Sequence, residues 1–215
     1  MNALDAFGLR YASVQKPTTS ATTAPDAPSA NNVTQLSPLT TTTTPTTINL
    51  SGCCPPITKI DPSFGQRIGS ACLKLSLSTN NIDRISGPGL QGLHNLRILS
   101  VGRNCIKRLD GIEAIGTSLE QLWVSYNSLE KLVGLDACPH LRVLYASNNR
   151  IKDWSEIDLL AKLEHLEDLL LVGNPICGQN PSQGYREKVI QRLPKLKKLD
   201  GVLITEEERT HSMVA

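Results

Sequence analysis

The sequence predicts an α/β solenoid: a curved parallel sheet of short strands with a helical or irregular convex side, preceded by a disordered N-terminal tail. Three observations predict it. Composition changes near residue 48, from a Thr/Pro-rich stretch to a leucine-rich one. Downstream, one pattern recurs every 22–25 residues. Within each copy, apolar residues alternate over a span too short for anything but a strand.

The tail, residues 1–47, is dominated over most of its length by KPTTSATTAPDAPSANNVTQLSPLTTTTTPTT (16–47). Apolar residues there are few and aperiodic. Such a segment buries too little surface to offset the entropy of ordering it.

The repeats are CLKLSLSTNNI (72–82), LRILSVGRNCI (96–106), LEQLWVSYNSL (119–129), LRVLYASNNRI (141–151) and LEDLLLVGNPI (166–176). They share L-x-x-L-x-L-x-x-N-x-I/L, which is the leucine-rich repeat signature. One copy would mean little, but tandem copies in register are specific. The repeat domain spans 48–203. An upstream unit starting at ITKID (57–61) lacks the asparagine and reads as an N-terminal cap or a degenerate repeat. YREKVIQRLPKLKKLDG (185–201) reads as a C-terminal cap, a short amphipathic helix followed by a last strand. Caps depart from consensus because a terminal unit must end the stack with a polar edge. Residues 204–215 read as a short helix or tail, with Thr205 and Glu208 spaced as a capping box.

Strand alternation then sorts the side chains. Consensus leucines point inward. Asn80, Asn104, Asn127, Asn149 and Asn174 turn inward as a structural ladder bonding the backbone of adjacent turns. The intervening positions point to the open face. Its central row reads Ser76, Ser100, Trp123, Tyr145, Leu170 and Asp200. Neighbouring strands lie about 4.8 Å apart, so Trp123, Tyr145 and Leu170 are adjacent, flanked by Ile98, Val143 and Val172. A contiguous apolar patch on a face that the fold leaves open usually marks a partner site, the alternative being that the N-terminal segment or another copy of the chain covers it. Trp and Tyr are also frequent interface anchors. Arg103, Arg150, Arg186, Arg192 and Lys198 are candidate electrostatic contacts for an acidic partner.

Other chemistry finds little support. Net charge is +2, which favours neither nucleic acid nor an anionic membrane. No apolar run reaches the ~18 residues of a membrane span, and the N-terminus lacks the pattern of a secretory signal. The six cysteines form no C-x-x-C, so reduced cytosolic thiols are expected, with neither zinc site nor disulfide framework. His94, His140 and His165 follow the repeat, not metal geometry. No phosphate-cradling loop or catalytic triad is present. No enzyme activity and no cofactor are expected. Trp154 replaces a repeat aliphatic and is expected in the core.

Beyond the generic repeat, LRILSVGRNCIKRLDGIEAIG, LEQLWVSYNSLEKLVGL and LRVLYASNNRIKDWSEI resemble the axonemal outer-arm dynein light chain 1 family over roughly 48–203. Non-consensus positions match too, among them Trp123, Ser125, Tyr126 and the KDW at 152–154. The resemblance implies a non-motor subunit in the cytoplasm and ciliary or flagellar cytoskeleton. It would bind a dynein heavy chain at the microtubule-binding region of its stalk and regulate motility, with tubulin as a second candidate partner. It implies an apolar sheet-face site at Ile98, Trp123, Val143, Tyr145 and Leu170. Two features depart from the family: the Thr/Pro-rich tail replaces a charged N-terminal helix, and only Arg209 and His211 are basic beyond residue 200. A protein phosphatase regulatory subunit and a splicing-type scaffold are the alternative functions for short repeats of this kind.

Overall fold

Each L-x-x-L-x-L copy contributes one short strand, and the strands stack in chain order. The computed structural model describes residues 46–178 and 184–214. Strands β1 (Thr46–Asn49), β2 (Cys72–Ser76), β3 (Ile98–Ser100), β4 (Gln121–Trp123), β5 (Val143–Tyr145), β6 (Asp168–Leu170) and β7 (Lys198–Leu199) pair successively in parallel. Strand β8 (Val202–Leu203) adds antiparallel to β7 and ends the eight-stranded sheet.

The strands are short because the asparagine turns the chain. Asn127 donates from Nδ2 to Val124 O (3.0 Å) in its own repeat and to Val101 O (3.0 Å) in the preceding one. Its Oδ1 accepts from Ile106 N (2.9 Å). Asn80, Asn104, Asn149 and Asn174 repeat this set. Each amide satisfies backbone groups that the turn would otherwise leave unpaired in the interior.

Between strands the chain returns through α1 (Phe64–Ile68), α2 (Gly87–Leu90), 3₁₀ turns at Ile112–Ala114 and Leu135–Ala137, α3 (Ser155–Leu160) and α4 (Tyr185–Arg192). These pack on one another in sequence as a second layer. Repeats of 22–25 residues leave room for only one or two helical turns. The spacing is tight where Gly116 meets the next repeat, since a Cβ there would lie 2.2 Å from Ala137 O. Between the layers runs one continuous core of consensus leucines and isoleucines, with Leu75, Leu99, Leu122, Leu144, Leu169 and Leu199 all buried.

The structure corrects the sequence reading at both ends. The first unit's strand is β1, not ITKID. Ile57 instead occupies the post-strand position, its N–H donated to Asn80 Oδ1 (3.0 Å) just as Ile82 donates to Asn104. The tail expected over 1–47 lies outside the described residues except for Thr46 and Thr47, which open β1. The last strand is not LKKLD: a Gly201 turn adds β8. The helix expected from residue 206 is α5 (Glu206–Val214). Its capping box forms, with Glu208 N donating to Thr205 Oγ1 (3.3 Å) and Thr205 N to Glu208 Oε2 (2.9 Å).

Trp154 is half-buried, not core. It packs on Tyr185 (6.3 Å between ring centroids) beneath the Arg192 guanidinium (4.9 Å). Cys72 and Cys138 are buried, and burial pushes their thiols up to about 11 and about 12, which makes them inert packing residues. Among the described residues no helix is long and apolar enough to cross a membrane.

Candidate functional site

The register places the open-face rows side by side. Ser76, Ser100, Trp123, Tyr145 and Leu170 align across β2 to β6. Lys74, Ile98, Gln121, Val143, Asp168 and Lys198 form the parallel row. Ile98, Trp123, Val143, Tyr145 and Leu170 are half-buried, and Val172 is 43% exposed. These six therefore lie on neighbouring strands of one face. Asp200 leaves the row: its backbone is left-handed (φ 50°), and its carboxylate turns back to accept Leu171 N (2.6 Å) and Val172 N (2.9 Å).

The aromatic pair is held from both sides. The Trp123 and Tyr145 rings stack at 6.1 Å with 20° between planes. Tyr145 donates its hydroxyl to Asp168 Oδ2 (3.0 Å), and Lys198 Nζ approaches the same oxygen at 3.3 Å. Burial, then the Asp168 hydrogen bond, pushes the Tyr145 phenol up to about 12, so it remains a donor across the physiological range. On the other side Lys74 Nζ lies 5.2 Å from the Trp123 ring centroid. It crosses β3 where the central row is narrow, at Ser100. The Trp123 indole Nε1 is covered and has no acceptor among the described residues. Strand alternation puts Lys74 and Asp168 on the open face as well, but not their contacts with Trp123 and Tyr145, because only the register sets their reach across strands.

The candidate electrostatic residues do not form one surface. Lys198 belongs to the open face. Arg103 and Arg150 lie on the loops after β3 and β5, where Arg103 covers the Tyr126 ring at 4.5 Å. Arg186 and Arg192 sit in the helical layer and hold the cap together. Arg186 grips Glu208 through two hydrogen bonds (2.6 and 3.1 Å) and also donates to Leu199 O and Leu203 O. Arg192 pairs with Asp158 at 3.0 Å. His140 and His165 stack at 6.0 Å, and no group of three or more potential metal ligands occurs among the described residues.

The family model of the NXF1/2/3/5 leucine-rich repeat domain matches residues 94–201. Among solved structures, the chain resembles the Drosophila melanogaster SNF/U2A' complex with a TM-score of 0.58 at 23% identity, covering 65% of this chain and 78% of that one. An internalin from Listeria monocytogenes matches with a TM-score of 0.54 at 21% identity, over 69% of this chain and 39% of that one. At these identities the likeness establishes the leucine-rich repeat fold alone. Sequence relatives go further. Dynein axonemal light chain 1 of Chlamydomonas reinhardtii is 45% identical over 172 residues, covering 78% of this chain and 85% of that protein. The chain belongs to the dynein axonemal light chain 1 family. The Bos taurus and Homo sapiens members are each 51% identical, over 72% and 68% of this chain and 80% and 76% of their own lengths. Membership makes this a light chain of the axonemal cytoskeleton in the cilium or flagellum and points to a non-catalytic subunit.

Proposed function

We propose that this light chain is a non-enzymatic subunit that docks its open sheet face on a dynein heavy chain, at the microtubule-binding region of the stalk, and so regulates ciliary or flagellar motility. One observation carries the reading: the stacked Trp123–Tyr145 pair, contiguous with Ile98, Val143 and Leu170, on a face with no covering element among the described residues. Large aromatics each remove on the order of 150–250 Å² from water when covered, and pre-stacked rings lose little freedom on docking. Tubulin is not assigned to α5, because Arg209 is occupied by Pro194 O and Leu196 O and pairs with Glu206.

The test is calorimetric titration of the light chain with a heavy-chain stalk fragment that includes its microtubule-binding region. Trp123→Ala with Tyr145→Ala is expected to weaken binding by about a hundredfold or more, as paired anchors do. Wild-type affinity in a correctly folded double variant would sink the assignment.

A further inference from the structure

We propose that the partner element docking on the open face carries carboxylates on either side of its apolar anchor, and that Lys74 reads one of them. This rests on the docking role proposed above for that face. The charges of the face and its rim carry the argument. On the rim, Arg97 pairs with Glu120 (2.8 Å), while Glu167 accepts from both Arg142 (2.9 Å) and Lys197 (2.8 Å). On the face, Asp168 is taken by Lys198 and the Tyr145 hydroxyl. Every carboxylate that stays on the face or rim is thus already matched, Glu167 by two cations, while Asp200 is turned off the face onto the Leu171 and Val172 amides.

The surplus is positive, and it falls on both sides of the aromatic pair. On the β5–β7 side it is the second cation on Glu167. On the β2 side it is Lys74, which has no ion pair among the described residues and only the Trp123 ring for company. An ammonium over a ring face is held less strongly and less directionally than one meeting a carboxylate in a dehydrated interface. Lys74 therefore stands ready to leave the ring face for a partner's acid. It also stands next to the tryptophan that the partner must cover. Two surplus charges around an apolar centre match a protein segment with an apolar anchor between acids. A polyanion would need a longer unmatched basic track.

The experiment uses the full light chain and the same stalk fragment across a salt series. Lys74→Gln is expected to weaken binding about tenfold at low salt and to flatten its salt dependence, and Lys74→Glu to weaken it about a hundredfold. Both should leave thermal unfolding near that of the parent. If both bind with the parent's affinity and salt dependence while Trp123→Ala abolishes binding, the charge inference is overturned and the docking face stands. If the parent does not bind, or Trp123→Ala binds as well as the parent, the docking reading falls and this inference falls with it.

Discussion

Trp123 carries a conflict within one side chain. Its ring is stacked and half-buried, yet its indole N–H is covered without an acceptor. An unpaired buried donor costs stability that a ring of similar shape without the donor would recover. Trp123→Phe removes that donor but also part of the stacked ring, and the two effects are expected to leave stability in urea within about 1 kcal/mol of the parent. A loss beyond about 2 kcal/mol would mean that the indole is better placed than its hydrogen bonding suggests. Tyr145 shows the opposite arrangement, its polar tip fully engaged by Asp168.

At the scale of the element, the asparagine turns and the cap do separate jobs. Each ladder asparagine ties two repeats with at least three hydrogen bonds to backbone, as Asn127 does to Ile106, Val101 and Val124. Asn127→Ala leaves Ile106 N without its acceptor and removes one of two asparagine donors from each of Val101 O and Val124 O, and is expected to cost about 2 kcal/mol, read by chemical denaturation. Helix α5 is held by Arg186, whose hydrogen bond keeps the Glu208 carboxyl down at about 2, against an ordinary value of 4.5. A carboxylate held down in the folded state contributes stability above its ordinary value and loses it as pH falls through the lowered one. The docking of α5 is thus expected to weaken between pH 4.5 and about 2. NMR shifts of Thr205 and Arg186 should follow that window, and shifts that stay flat across it would count against the latch.

The whole molecule is a one-dimensional stack in which each repeat buries the next. Its ends must therefore be closed. At the C-terminal end, α4, β7, β8 and α5 cover β6, with Arg186 and Arg209 tying backbone carbonyls across the cap. Truncation after residue 178 would expose the flank of Leu169 and Leu171, both buried in the intact chain. The shortened protein is expected to lose a cooperative thermal transition or to self-associate, as read by calorimetry and size-exclusion chromatography. A sharp transition in a monomer would show that the cap is dispensable. At the same scale, the open face divides by strand. Its β1–β3 side carries hydroxyls along the central row, with Ser51 paired to Ser76 (2.6 Å) and Ser78 to Ser100 (2.7 Å), whereas the same row over β4–β6 carries Trp123, Tyr145 and Leu170.

Much of this was legible in the residues. The repeat spacing determined the number of turns in the middle of the stack, the leucines determined the core, and alternation placed Trp123, Tyr145 and Leu170 on one face. Those features follow from local periodicity, which a strand of three residues obeys as strictly as a longer one. The ends were less legible, because caps lack the consensus: the first strand lies at Thr46–Asn49, and β8 closes the sheet by a turn. The left-handed backbone that the stacking turn imposes one residue before each ladder asparagine falls on Gly173 in one repeat but on Thr79, Arg103, Tyr126 and Asn148 in the others, where residue type does not announce it. Nor does anything reveal that Arg186 is spent on α5 while Lys74 is left over. Which charges are matched depends on the register between strands and on helix docking, distances that arise only when segments far apart in sequence meet.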